Sequence, residues 1–385
     1  MIIMNGVQQL LIYPYLTKQM GTAAFGNVLV VLGIIAIVAP ATGQAVNNTR
    51  IVAQKKYDCS NGDANVSLLL LLIPGIAVSA CFLNNYFSST ISLLFAIVLL
   101  IFTALKNYSD VEYRLNLNYV NYFWYYCAIS LGYVVGTAAY SLFHSWILTL
   151  LIGEISGFAF VAVTGSIYRN PFKRSANFTR FLKDSILLYA SYLLYNGVLN
   201  LDRVLLKYMV DSETVTIFYV SSLMGKMIAL LVGPLNSIAI SYLCKREKSM
   251  DIKFFGILVG GAVGVGFIFY LGTCIVTPVF AYLAYFEIYK PVVQFAPIAN
   301  LSQIICFSGS FLLTVVLTMT SNRWQIIIQS IYAILFLVLS VTLCYLNGFT
   351  GFLWGLVLAN TVRFILTVTV GFHAVMKVRK GKLLR

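Results

Sequence analysis

The sequence predicts an all-α polytopic membrane protein, with about twelve transmembrane helices in two six-helix bundles around a central cavity. Three observations carry this expectation. Of 385 residues, 60% are hydrophobic and only 10% are charged, against about 25% charged in a soluble domain. The apolar residues gather into stretches close to the ~20 residues that cross a hydrocarbon layer. The 26 Lys and Arg residues fall almost entirely in alternate connections between those stretches, as expected where basic loops mark the cytoplasmic side.

Taken in order, the stretches are 1–16, 27–48, 67–87, 90–106, 120–140, 145–168, 185–206, 216–243, 254–281, 294–319, 326–346 and 352–376. The first is apolar from Met1, with no basic lead and no small-residue cleavage site, and is expected to stay in the membrane. The second closes near Pro40, and Asn84, Asn85 and Ser88 separate the third from the fourth. The fifth is rich in Tyr, and the sixth holds Glu154 in LLIGEISG. The seventh and eighth are the most polar and turn at DSET. The ninth carries Gly256, Gly260, Gly261, Gly264 and Gly266, a spacing that predicts close helix packing. The tenth and eleventh are plain apolar spans, and the twelfth has Arg363 at its centre.

Twenty basic residues fall in the connections assigned to the cytoplasm, among them Lys106 and the run Arg169, Lys173, Arg174, Arg180 and Lys183; the opposite loops hold Lys18, Lys207 and Lys290. Both termini are then cytoplasmic. The basic run divides the chain into an N-terminal bundle (1–168), a linker (169–184), a C-terminal bundle (185–376) and a basic tail (377–385). An internal echo supports two halves: Asn5-Gly6-Val7 returns as Asn196-Gly197-Val198, and Pro40 as Pro234, at separations of 191 and 194 residues. Repeated bundles with a site between them are a common transporter plan.

The net charge of +14 follows topology rather than forming a nucleic-acid patch. Seven cysteines without a CxxC pair and only two His give no metal site, and no phosphate-binding GxxxxGK[ST] is present. Neither catalytic residues nor cofactors are expected.

Charge at membrane depth is the functional signal, because leaving it in lipid costs about 3 kcal/mol. Tyr189, Tyr192, Asn196, Asn200, Arg203 and Lys207 recur at steps of three and four, so they share one face of a helix. Lys226 follows Tyr219 and Ser222 on the next span, and Arg363 shares a face with Asn360 and Thr367. One reading has Arg203, Lys226 and Arg363 lining a cationic cavity for an anionic substrate, with Asn196, Asn200 and Asn360 beside them. The alternative is structural pairing, Asp202 with Arg203 or Lys226 and Glu154 with Arg363. Glu154 and Asp202 are also the coupling candidates, since a carboxylate at depth can take up and release a proton. Tyr122, Tyr125 and Tyr126 suit either sugar stacking or an interfacial belt.

The stretches LNLDRVLLKYMVDSETVTIFYVSSLM and MGTAAFGNVLVVLGIIAIVAPATGQAVNNTRIVA resemble the Asp-Arg-x-x-Leu helix end and the N-terminal outer turn of the Wzx-like bacterial O-antigen and capsule repeat-unit flippases, relatives of the multidrug-and-toxin exporters. The resemblance implies a flippase of the bacterial inner membrane in polysaccharide or lipopolysaccharide biosynthesis. It would move undecaprenyl-diphosphate-linked oligosaccharide by alternating access, with Arg203 and Lys226 facing the lumen. Whether a proton gradient, a sodium gradient or no coupling ion drives the cycle is left open by the sequence; membrane lipid is the surroundings, and a polysaccharide polymerase and chain-length regulator are the candidate partners. The rivals are a polytopic glycan polymerase or ligase, for which the outer loops are short, and a cation-coupled multidrug exporter, for which the charge at depth has the wrong sign.

Overall fold

The computed structural model describes residues 1–54, 56–230, 251–320 and 323–379, with side chains as far as Met376. Nearly all of them are helical, and eight helical stretches among them are long and apolar enough to cross a membrane. α1 (Ile2–Val7) passes through a π-helical stretch, Gln8–Ile12, into α2 (Tyr13–Met20). Pro14 opens α2 and has no N–H for the carbonyl one turn back, and a π turn absorbs such a break in the α ladder. Gly21, at φ 83°, then reverses the chain, a conformation a side chain would resist.

α3 (Thr22–Ala53), α4 (Asn61–Leu83), α5 (Thr90–Ser109), the short α6 (Val111–Leu115), α7 (Tyr119–Phe143) and α8 (Trp146–Thr164) follow. α4 begins six residues before the expected 67 because Ser60 and Asp63 form a reciprocal capping box that starts the helix at Asn61. α9 (Phe178–Met209), α10 (Ser212–Ala229), α11 (Ile252–Ala284), α12 (Tyr289–Leu317) and α13 (Arg323–Arg379) complete the order. α13 is two spans in sequence: at about 1.5 Å per residue it is far longer than one crossing needs, and it breaks at Asn347 and Gly348, the latter at φ 58°. With that break, the described residues supply the expected twelve helical passes, the eighth as far as Ala229. The end of the eighth span with Gly233 and Pro234, together with Lys55, Lys245, Arg246, Lys248 and the tail from Lys380, lies outside the described residues.

Two compact units are present, Met1–Lys207 and Tyr208–Arg385. The first ends one helix beyond the linker at 169–184, because α9 makes its described contacts with earlier helices. The Tyr192 hydroxyl meets Asn48 Nδ2 at 2.6 Å, Asp184 accepts from the Tyr57 hydroxyl at 3.0 Å, and the Arg203 guanidinium reaches the Leu29 carbonyl at 3.5 Å. The linker itself is folded onto the start of α4. Ser60 Oγ donates to the Lys173 carbonyl at 2.5 Å, Asn65 Nδ2 to that of Ile167 at 3.0 Å, and Asp63 accepts from the Ser175 backbone at 2.8 Å and hydroxyl at 2.6 Å.

Glycine does its packing in a different place from the one expected. A Cβ on Gly136 of α7 would sit 2.2 Å from the Thr149 carbonyl oxygen of α8, and one on Gly132 would sit 2.7 Å from Gly153 Cα. These two helices touch backbone to backbone. In α11, by contrast, among the described residues nothing lies within 4 Å of such a Cβ on Gly256, Gly260, Gly261 or Gly264, while one on Gly266 would meet Ser308 at 2.7 Å. The close-packing expectation for the ninth span therefore fails at four of its five glycines, because those positions turn away from the helices α11 packs on.

The second unit is joined by a buried amide. Asn300 of α12, fully buried, accepts from the Gly225 N–H of α10 at 2.9 Å and donates to Thr277 Oγ1 of α11 at 3.0 Å. Phe255, Val315, Val316 and Val375 form the apolar cluster where α11, α12 and α13 meet.

Candidate binding site

A cavity of about 340 Å³ opens inside the first unit, walled by α1, the π-helical turn, α2, α3, α5, α7, α8 and α9. That volume lies at the small end of ligand pockets. Six carboxamides line it, Asn5, Gln8, Gln44, Asn107, Asn196 and Asn200, together with Lys106, Glu154 and Arg203. The π-helical turn presents Gln8 at the wall, held by its bond to the Tyr13 hydroxyl at 2.9 Å. Asn5 and Asn196, the first residues of the two repeated triplets, both line this one cavity.

Two of the three charges lining the cavity form a pair. Lys106 Nζ lies 2.5 Å from Glu154 Oε1, their side chains 12% and 4% exposed. The Tyr133 hydroxyl donates to the same oxygen at 2.8 Å. Glu154 Oε2 is buried and accepts nothing among the described residues. Lys106, assigned by sequence to a loop, is inside α5, one turn short of its end, and its flexible stem carries the ammonium to the middle of α8. This corrects two expectations. Lys106 is a cation at depth, and Glu154 has Lys106, not Arg363, as its partner.

Arg203 lies on the α9 wall with its Cδ 3.4 Å from where a Cβ of Gly33 would be, so the small residue in α3 makes room for the guanidinium stem. Asn200 donates to the Asn196 carbonyl at 3.0 Å, and Asn196 Nδ2 is buried without an acceptor. Asp202 is buried beside Arg203, its Oδ1 accepting from the Arg203 backbone N–H at 2.8 Å.

Tyr122, Tyr125 and Tyr126 of α7 bond to internal groups of the first unit, and one of them lines the cavity. Tyr126 lines the cavity and donates to Asp110 Oδ2 at 3.2 Å; Tyr122 reaches the same oxygen at 3.5 Å, and Tyr125 donates to the Lys106 carbonyl at 3.0 Å. Asp110 also accepts from Asn47 Nδ2 and faces Arg114 at 3.8 Å. Sequence reading missed this cluster because Asp110 reads as a loop acid. The i, i+3 and i+4 spacing of Tyr122, Tyr125, Tyr126, Ile129 and Tyr133 was the available sign that one face of α7 is internal.

The other proposed site residues belong to the second unit. Lys226 of α10 places its ammonium 4.8 Å from the Phe218 ring, two turns earlier on the same helix. Arg363 and Asn360 of α13 are buried, 5% and 4% exposed, against α12: Asn360 Nδ2 meets Ser302 Oγ at 3.1 Å, and Arg363 meets Ser310 Oγ at 3.1 Å.

The helix order and lengths define an all-helical, multi-pass membrane protein. Its fold is similar to an inward-facing conformation of a multidrug resistance MATE family transporter of the MOP superfamily, with a TM-score of 0.72 and 13% identity over 99% of this chain and 96% of that one. It is likewise similar to the lipid II flippase MurJ in an inward closed conformation, TM-score 0.64 and 13% identity over 100% of this chain and 91% of that one. The Vibrio cholerae MATE transporter VcmN in the bent form matches at TM-score 0.54 and 14% identity, over 97% of this chain and 95% of that one. No protein-family model and no curated protein sequence matches the chain.

Proposed function

We propose that this protein flips an undecaprenyl-diphosphate-linked oligosaccharide repeat unit across the bacterial cytoplasmic membrane by alternating access. The observation that carries the reading is the lining of the first unit's cavity, where six amides accompany two cationic side chains and a single carboxylate. Amides donate to and accept from sugar hydroxyls, and Arg matches phosphate oxygens in a two-pronged geometry. A cavity for cationic drugs would need the opposite charge balance. In this mechanism Arg203 holds the diphosphate and Asn196 and Asn200 bind the sugar, and Lys226 is a substrate-binding residue of the second unit. Glu154 is the coupling group: a proton taken up by its carboxylate would cancel the charge that holds Lys106 and release the ammonium. Asp202, buried next to Arg203, is the second coupling candidate. Both termini lie in the cytoplasm, and the chain works beside a polysaccharide polymerase and chain-length regulator.

The test is flipping of a short diphosphate-linked oligosaccharide in proteoliposomes by the wild type, Arg203→Ala and Lys226→Ala, each checked for folding. Activity in the wild type and at least a tenfold loss in both folded variants are expected. Absence of flipping by folded wild type across several glycans, with an imposed pH gradient, sinks the reading. A second reading, a cation-coupled multidrug exporter, is favoured by the similarity to MATE transporters and by the carboxylate of Glu154 at the cavity wall. Efflux of a cationic dye that disappears in Glu154→Gln, with no glycan flipping, would select it.

A further inference from the structure

Arg363 is a buried charged group of the second unit that the flipping mechanism does not use. It lies in the second half of α13, 15 residues beyond Gly348, which puts it well inside that span. Its guanidinium has five N–H donors. One Nη donates to Cys306 Sγ at 3.4 Å, the other to Ser310 Oγ at 3.1 Å, and the plane lies 5.0 Å from the centre of the Tyr332 ring. Nε is buried and donates to nothing, and no ion pair reaches Arg363 among the described residues.

The placement of the acids explains the missing counter-charge. Residues 208–385 contain five carboxylates. Asp211 and Asp251 cap α10 and α11, Glu213 is in the first turn of α10, and Glu287 is in the short 3-10 turn before α12. Glu247 lies outside the described residues. The four described acids thus sit at helix ends. A neutral thiol, a neutral hydroxyl and a ring face solvate a guanidinium but do not neutralise it, and a buried cation without a counter-charge is strongly unfavourable.

We propose that Arg363, with Ser310 and Cys306, forms a binding site for a small inorganic anion of the halide class. The anion supplies the counter-charge inside the second unit. The Nε–H and the remaining Nη–H groups face it, while the Ser310 hydroxyl, whose oxygen already accepts from Arg363, gives its proton to the anion. Size and charge favour a halide over a phosphate. The guanidinium is buried, with one cation to balance, and a diphosphate would bring more charge and need an open mouth. The site is built from residues of the second unit, and its existence does not depend on what the first unit's cavity carries.

The experiment is thermal unfolding of the purified full-length protein in detergent, with chloride replaced stepwise by gluconate at constant ionic strength. A saturable rise of the unfolding temperature with chloride is expected in the wild type and in Glu247→Gln, and a flat response in Arg363→Gln. Ser310→Ala, which keeps the cation, should move half-saturation to several-fold higher chloride. The proposal is overturned by no chloride response in the wild type or by an equal response in Arg363→Gln. A response that appears only in Glu247→Gln also overturns it, by making that carboxylate the counter-charge in the wild type. If Arg363→Gln does not fold, an unshifted half-saturation in Ser310→Ala overturns it as well.

Discussion

Replacing Lys106 by Met should destabilise the first unit more than its position near the end of α5 implies. The ammonium is 2.5 Å from a carboxylate whose side chain is 4% exposed, and removing one member of such a pair leaves the other charge buried, at about 3–5 kcal/mol. The Tyr133 hydroxyl still donates to Glu154 Oε1 at 2.8 Å. A hydrogen bond to a charged group contributes about 1.5–3 kcal/mol, so the loss should fall near the lower bound, about 3 kcal/mol. Glu154→Gln strands the cation instead, but the Lys106 stem is long enough to move its ammonium to the open part of the cavity, and about 2 kcal/mol is expected. The double variant Lys106→Met with Glu154→Gln removes both charges and keeps an acceptor for Tyr133. It should lose about 1 kcal/mol, less than either single change, because pairs of this kind roughly break even against neutral replacements. Denaturant unfolding in detergent, followed by Trp fluorescence, reads all four proteins. A double variant whose loss equals the sum of the two singles would refute the pairing.

Other consequences are as direct. Gly136→Ala should separate α7 from α8, since the new methyl lands 2.2 Å from a backbone oxygen; a loss of about 3 kcal/mol is expected, while Gly260→Ala, with nothing within 4 Å, should be neutral or slightly stabilising. Asn300→Leu removes the bonds tying α10 and α11 to α12 and leaves the Gly225 N–H buried, costing about 2–4 kcal/mol in the same unfolding assay. Asp63→Ala frees Ser175 and the chain before it, so limited trypsin digestion should cut at Arg169 to Arg174 at least several-fold faster than in the wild type. Equal cleavage rates would mean the linker is not held by that carboxylate.

The fold was legible because a hydrocarbon layer makes a coarse demand. Twelve apolar stretches and the alternation of Lys and Arg need no knowledge of neighbours, and the structure differs from them mostly by helix starts that a cap decides, as at Ser60. The site was legible in part. Asn196, Asn200, Arg203 and Glu154 were singled out by polarity at depth, and all four line the first unit's cavity. Lys106, Gln8, Gln44 and Asn107 were not: Lys106 and Asn107 fall at the end of their span and read as loop, and a lone neutral amide inside a span, as at Gln8 and Gln44, points to no cavity until the neighbouring helices are known.

By itself the sequence determined the solvent of each segment, since transfer of charge or backbone into lipid is costly enough to be read residue by residue. Only the tertiary structure decided the partners. Glu154 could have met Lys106 or Arg363 with equal chemical sense, and the glycines of α11 and of α7 carry similar spacing. What separated them was the approach of helix surfaces: Gly132 and Gly136 bring α7 against α8, which sets Tyr133 on Glu154, while α5 supplies Lys106 from the other side. Short-range contacts of a few ångströms depend on helix rotation and separation, which one-dimensional periodicity leaves open.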